Sequence, residues 1–303
     1  MISEHLSEYY GLPVVDFVIP RDWKGSEFAY RIGIDWDSED QSTGLLDVLL
    51  TVGESRELKA LVIGPWFSDD SSEDCQPIIE WLAKHAPRLP HLEAIFLGDI
   101  VQEETEMSWI AQSDMEPLLR AFPNLVRLDV RGSNGLSFGT LEHAGLRHLS
   151  FENGGLDRSV VRQLSQSLLP NLEHLELWLG DQGYGRTASV EDLQPILTGE
   201  LFPSLKYLGI RNTETCDEFV PTIVNSPLLN RIEVLDLSGG DLSDAGGRSL
   251  LRLKDNTSLK LLDLRHHYMS EALCEELKSL PMEVNVGEAQ SPDDDWRPIY
   301  VSE

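Results

Sequence analysis

Apolar residues recur along this chain in one spacing, apolar-x-x-apolar-x-apolar. Clear copies are Leu58-x-x-Leu61-x-Ile63, Leu92-x-x-Ile95-x-Leu97, Leu125-x-x-Leu128-x-Val130 and Leu146-x-x-Leu149-x-Phe151. They continue with Leu172-x-x-Leu175-x-Leu177, Leu205-x-x-Leu208-x-Ile210, Ile232-x-x-Leu235-x-Leu237 and Leu259-x-x-Leu262-x-Leu264, and a frayed copy ends in Val284-x-Val286. Alternation inside each copy predicts a short strand whose apolar side chains point one way. Between central residues the steps are 34, 33, 21, 26, 33, 27, 27 and 22 residues. A step of 27 leaves room for a helix on the return, and the longer steps imply grafted loops.

This is the sequence form of a leucine-rich repeat, with one strand and one return segment per unit. The fold class expected is an α/β leucine-rich-repeat solenoid. Its parallel sheet lines a concave face and its helices a convex one, because strands pack about 4.8 Å apart and helices about 10 Å. Return helices are predicted over 73–86, 157–169, 243–253 and 270–280, with Asp157, Ser243 and Ser270 as caps. The 21-residue step from Leu128 to Leu149 has space for only a turn or two of helix. Four returns end in Pro-x-Leu, at Pro90, Pro123, Pro170 and Pro203, where proline stops a helix and turns the chain into the next strand.

Residues 1–52 do not repeat. Strands are expected at 14–19 and 28–35 and a first helix at 43–52, together forming a non-repeating N-terminal cap over the apolar end of the stack. The repeat domain of about nine irregular units then spans 53–290. Segment 291–303 is an acidic tail or end cap, with Trp296, Ile299 and Tyr300 available to fold back over the last repeat and Asp293, Asp294 and Asp295 exposed; disorder is the alternative.

The segments FAYRIGID (28–35), LKALVIGPW (58–66), LEHLELWLG (172–180) and IEVLDLSGG (232–240) extend this picture. With them the chain resembles intracellular leucine-rich-repeat proteins of the ribonuclease-inhibitor-like class, and more narrowly a family of uncharacterised bacterial leucine-rich-repeat proteins. The resemblance implies protein recognition and carries over no functional residue. The irregular steps, and the scarcity of asparagine after the strands apart from Asn153 and Asn212, argue against a uniform horseshoe and a ribonuclease-like ligand.

Three columns of side chains point away from the core. They hold Ala60, Ala94, Arg127, His148, His174 and Tyr207; Val62, Phe96, Asp129, Glu176 and Asp236; and Arg131, Glu152, Trp178, Arg211 and Arg265. Tryptophan, tyrosine and arginine are the types enriched in binding hot spots. The expected protein-binding surface is therefore Phe96, Arg127, Arg131, His148, His174, Trp178, Tyr207, Arg211 and Arg265. Trp178→Ala is expected to leave the melting midpoint unchanged, whereas Leu175→Ala opens a cavity. GDQGYGRT (180–187) is expected to project as a mobile loop with Tyr184 and Arg186 at the rim.

Composition narrows the partner. Hydrophobic residues make up 41% of the 303, enough for a continuous core. Net charge is −28, from 52 acidic against 24 basic residues, which disfavours nucleic acid and anionic membrane. The charge also opposes close self-contact, so a monomer is expected, with a homodimer as the alternative. MISEHLSE at the start is acidic where a secretory signal would be basic, and Cys75, Cys216 and Cys274 are too far apart for a redox or metal pair. A cytoplasmic address and buried free thiols follow.

No catalytic motif appears, and neither enzyme activity nor a cofactor is expected. The one candidate for metal or acid–base chemistry is His148, His174, Glu152 and Glu176 on neighbouring strands; His266 and His267 point in different directions. The expected function is a non-catalytic scaffold that binds a protein or peptide through its concave face. A self-assembling structural component is the alternative, and an enzyme accessory or metal-binding protein a more distant one.

Overall fold

The computed structural model describes residues 2–17, 24–34, 42–51, 55–67, 73–132, 134–293 and 296–301. Expectations placed on residues 18, 19, 35, 52, 294 and 295 lie outside them. The chain forms two compact units, 1–151 and 152–303.

The first unit holds β1 (Glu8–Tyr9), β2 (Leu12–Asp16), β3 (Ala29–Ile32), β4 (Ala60–Ile63), β5 (Ala94–Leu97), β6 (Arg127–Arg131) and the start of β7 (His148–Glu152). Its helices are α1 (Ser42–Thr51), α2 (Gln76–His85) and α3 (Glu116–Ala121). β1 and β2 form an antiparallel hairpin. Its two-residue turn, Tyr10-Gly11, has φ of +55° and +71°. That double left-handed turn matches the natural twist of paired strands. β2 then pairs parallel with β3, β3 with β4, β4 with β5 and β5 with β6. The repeat register is the one the sequence predicts, with Leu61 opposite Ile95 and Ile95 opposite Leu128.

The second unit holds β8 (His174–Gly180), β9 (Tyr207–Thr213), β10 (Val234–Asp236), β11 (Leu261–Asp263) and β12 (Glu283–Asn285). Between them run α4 (Arg158–Ser165), α5 (Val190–Leu197), α6 (Cys216–Ile223), α7 (Asp244–Leu250) and α8 (Glu271–Leu277). The strands are parallel, and Leu175, Leu208, Leu235, Leu262 and Val284 lie in one register. All five are core leucines or valine of the repeat, and the four leucines are fully buried. Strand and helix alternate as in a leucine-rich-repeat solenoid of the α/β class.

Local chemistry sets the element ends. Asp157 accepts from Ser159 N at 2.8 Å, Ser243 from Ala245 N and Ser270 from Leu273 N, so the three expected caps all act. α5 adds a capping box, in which Asp192 reaches back to the Ser189 N–H at 3.1 Å. The Pro-x-Leu junctions are one recurring turn. Leu92, Leu125, Leu172 and Leu205 each donate N–H to the carbonyl three residues back, at 3.2, 2.9, 3.2 and 3.1 Å. Proline sits at the second position of each, where its fixed φ suits the turn.

The return between β6 and β7 differs from expectation. Among its described residues there is no helical turn, only isolated bridges such as Ala111–Asn134 and Asp114–Ser137. Gly132, Gly135 and Gly139 all have positive φ there, a backbone that helices do not use.

Candidate functional site: the strand faces and the segments that cover them

In the first unit the outward column is covered by the chain's own beginning. Ala60, Val62, Ala94 and Phe96 form one buried cluster with Tyr9 and Ala29, and Leu6, Tyr10, Leu12 and Val14 pack on it. Phe96 is 2% exposed and meets the edge of the Tyr9 ring at 5.7 Å. Small apolar side chains let the hairpin approach closely, and burial of apolar area holds it there.

The polar groups at this face are paired. Asp129, buried, takes the Tyr9 hydroxyl at 2.9 Å, Arg127 Nε at 2.6 Å and His148 Nε2 at 2.9 Å. Burial alone would raise its carboxyl; the His148 and Arg127 contacts hold it below the ordinary range. Burial and the same carboxylate push the Tyr9 phenol well up, so it stays a hydrogen-bond donor. Arg131 is 4% exposed, donates to Ile100 O at 3.1 Å and lies 5.2 Å from the Phe96 ring. Beside it, buried Asp99 accepts from Leu6 N at 3.2 Å. Phe96 and Arg131 were expected at the surface, and the structure buries both: Phe96 beneath Tyr9 and its neighbours, too far off in sequence for strand periodicity to reveal, and Arg131 against Phe96, Ile100 and Asp99. Arg127 and His148 remain half-buried.

In the second unit the face is a connected polar and aromatic network. His174 and Tyr207 are register partners and their rings stack at 3.7 Å, 8° from parallel. Glu176 accepts from Trp178 Nε1 at 2.7 Å, the Tyr207 hydroxyl at 2.8 Å and Arg211 Nη1 at 2.8 Å. Burial opposes its charge, but His174, Arg211 and these donors hold the carboxyl far below its ordinary range. The Tyr207 hydroxyl also lies 2.8 Å from Asp236 Oδ2, so its single proton is shared between two carboxylates, and burial with both charges raises its pKa strongly. Arg211 lies 4.8 Å from the Trp178 ring centroid. Arg265, held by Asp263 at 2.8 Å, is the most open of the group, its side chain 43% exposed.

Trp178 is only 4% exposed, against the surface position expected of it. The Tyr300 ring meets it edge-on at 6.2 Å. Segment 296–301 lies along the C-terminal ends of β9–β11. There Asn212, Gly239 and His266 occupy equivalent places and all have left-handed φ, +49°, +80° and +56°. Tyr300 N donates to Gly239 O at 2.8 Å, and the Asn212 side chain brackets Val301, accepting from its N–H at 2.8 Å and donating to its carbonyl at 2.5 Å. Segment 296–301 thus packs on the ends of β9–β11, whereas the sequence pointed to the last repeat. Ile299 and Val301 are buried, but Trp296 is 59% exposed rather than packed.

The glycine-rich loop also differs from expectation. Gly155 and Gly180 form an antiparallel bridge, and a Cβ on Gly180 would stand 1.9 Å from Gly154 O. The loop folds against 154–155, and Arg186 is buried over the Phe219 ring at 5.7 Å. It lines a groove of about 1000 Å³ with Arg158, Arg162, Asp157, Glu191 and Glu218, a site the sequence reading missed. Three arginines there face three carboxylates, which leaves no net charge to select an ion.

The histidine and cysteine candidates find structural partners. Among the described residues no group of three or more histidine, cysteine or acidic side chains is placed to hold a metal. His148 serves Asp129 and His174 stacks on Tyr207. His267, buried, accepts from Met269 N, while His266 contacts Pro298 O at 3.1 Å. All three cysteines are buried and unpaired, and burial pushes the Cys75 thiol up to about 12. Such thiols are poor nucleophiles. Among the described residues no helix is long and apolar enough to cross a membrane.

No protein-family profile matches the sequence. No curated protein matches it either. Among solved structures, a Bacteroides fragilis protein determined as a structural-genomics target is 34% identical, with a TM-score of 0.81, over 90% of this chain and 76% of that one. An internalin from Listeria monocytogenes is 14% identical with a TM-score of 0.34, over 86% of this chain and 74% of that one; an overlap at that score assigns neither fold nor function.

Proposed function

The chain belongs to the same family as the Bacteroides fragilis protein, and from there we propose that it is a non-catalytic scaffold that binds a protein or peptide on the strand face of its repeats. We place it with the ribonuclease-inhibitor-like type of repeat, because its 27-residue steps carry true helices, and in the cytoplasm, because its thiols are buried and unpaired. One observation carries the proposal. The face of β8–β11 keeps an aromatic and arginine surface, half-buried at His174, Tyr207 and Arg211 and open at Arg265, whose members hold one another in fixed rotamers. Rigid aromatic and guanidinium groups lose little entropy on binding, which favours them as anchors.

Affinity capture from an extract of its own cells tests this. The native chain should retain a partner protein or peptide, and Arg265→Glu should reduce the retained amount at least about tenfold, since a reversed charge at a contact costs at least ~1.4 kcal/mol. A partner retained undiminished by Arg265→Glu would move the interface off this face, and no retained partner would count against a scaffold.

A further inference from the structure

We infer that the ends of β9–β11 form a docking row for an extended peptide bearing an arginine followed three residues later by an aromatic, and that segment 296–301 is a displaceable occupant of that row. The inference rests on the scaffold reading above and names its partner class. The segment makes polar or ring contacts through two side chains, Arg297 and Tyr300, and main-chain contacts at Pro298, Tyr300 and Val301. Arg297 Nη1 stands 3.4 Å from Asp217 Oδ2 and its Nη2 3.8 Å from Asp241 Oδ2. The Pro298 carbonyl accepts from the Tyr268 hydroxyl at 2.6 Å. The Tyr300 ring sits among Trp178 and His266, 6.2 and 5.8 Å between centroids. Val301 is held through its main chain by the Asn212 amide, and its side chain, like that of Ile299, is buried.

This is how a row reads a peptide: main-chain bonds hold an extended backbone, and spaced pockets select side chains. The acidic pair Asp217 and Asp241 fixes the sign of the charge selected, and a chain of net charge −28 favours a basic segment throughout. The hold is uneven: Ile299 and Val301 are buried, but Arg297 is half-buried, Tyr300 is 40% exposed, and the described residues 296–301 form no strand with the sheet. Asn153 adds a further sign. Its carbonyl takes the same Asn212 amide at 3.2 Å, yet its own fully buried side chain has neither atom hydrogen bonded among the described residues. A buried amide without partners is rare and marks a place where binding can still gain. A tethered occupant competes at an effective concentration near the millimolar range, so the intact chain masks the row from weaker partners.

A fluorescent peptide of sequence SPDDDWRPIYVSE, titrated into the full chain and into the full-length double variant R297E/Y300A, tests this. The double variant, whose own segment is weakened, should bind the peptide at least about tenfold more tightly than the native chain. A peptide carrying R297E should bind at least about tenfold more weakly than the native peptide. That second comparison also runs on the native chain at high peptide concentration, so it stands even if the double variant misfolds. Absence of saturable binding, indifference to the peptide's arginine, or equal affinity of a folded double variant and the native chain would each overturn the inference. If those arms fail while Arg265→Glu still abolishes partner capture, the docking row falls and the scaffold reading stands.

Discussion

The strand face of the first unit is small and apolar at Ala60, Ala94 and Phe96, and the N-terminal hairpin closes over it as part of one core. The face of the second unit is an aromatic, arginine and carboxylate network, and segment 296–301 meets it through an amide clamp, main-chain bonds, one ring edge and the Arg297–Asp217 ion pair, with the Ile299 and Val301 side chains buried. Both faces are covered by the chain's own ends, the first by a whole apolar cluster, the second mainly by hydrogen bonds with two buried apolar side chains. Apolar burial scales with area and is lost only when the segment leaves altogether. Hydrogen bonds exchange with water for a net of about 1 kcal/mol each, so a segment held by a few of them can come off without unfolding what lies beneath.

Mutations should expose that difference. Phe96→Ala should cost most, roughly 3–5 kcal/mol in a chemical-denaturation midpoint, because it hollows the cluster that seats the hairpin. Leu175→Ala in the core of the second unit should cost roughly 2–5 kcal/mol. Trp178→Ala should now cost about 2–3 kcal/mol rather than nothing, since the ring is buried and its indole N–H serves buried Glu176. A Trp178 variant as stable as the native chain would show that segment 296–301 gives the face no packing. Tyr9→Phe should cost about 1–2 kcal/mol by removing one of the donors to Asp129. Trp296→Ala, at an exposed ring, should stay within ~0.5 kcal/mol.

Acid acts on both units alike. His143 in the first and His267 in the second are buried, and burial lowers each pKa from the ordinary 6.5. Each neutral ring accepts a main-chain N–H through Nδ1, from Leu146 at 2.9 Å and from Met269 at 3.1 Å, which protonation would break. A folded pKa below the unfolded one contributes stability that is complete above pH ~6.5 and is lost as pH falls through the folded value. Melting midpoints should therefore fall between pH 7 and 5, and His143→Gln should flatten that slope. A midpoint constant across the range would contradict it. The depressed carboxyls of Asp129 and Glu176 add a second loss below the ordinary carboxylate range, in the same direction.

The repeat frame was legible because its period is local. Register from Leu61 to Leu128 and from Leu175 to Val284, three helix caps and four proline turns follow from residues within one unit of each other. α5 and α6 were harder to read because Pro195 and Pro221 interrupt their pattern. What covers each face was legible only as apolar residues near the two ends, not as the contacts they make. Tyr9 reaches Asp129 across 120 positions and Val301 reaches Asn212 across 89, and no periodicity encodes such meetings. Phe96, Arg131 and Trp178 read as surface because strand alternation shows which way a side chain points, not what lies over it. The apolar column at Ala60 and Ala94 was the available signal, since a strand face that small and apolar asks for a cover.

Native-state hydrogen exchange, read amide by amide, tests the contrast between the two covers most directly. Val14 N–H, bonded to Ser7 O at 2.9 Å within the hairpin region, should exchange only with global unfolding, as slowly as core-strand amides such as Leu237, whose N–H bonds to Asp263 O at 2.8 Å. Tyr300 and Val301 N–H should exchange through a local opening at least about a hundredfold faster than those amides, with little dependence on low denaturant. Protection of Val301 equal to that of Val14 would contradict the account, because both covers would then belong to one indivisible core.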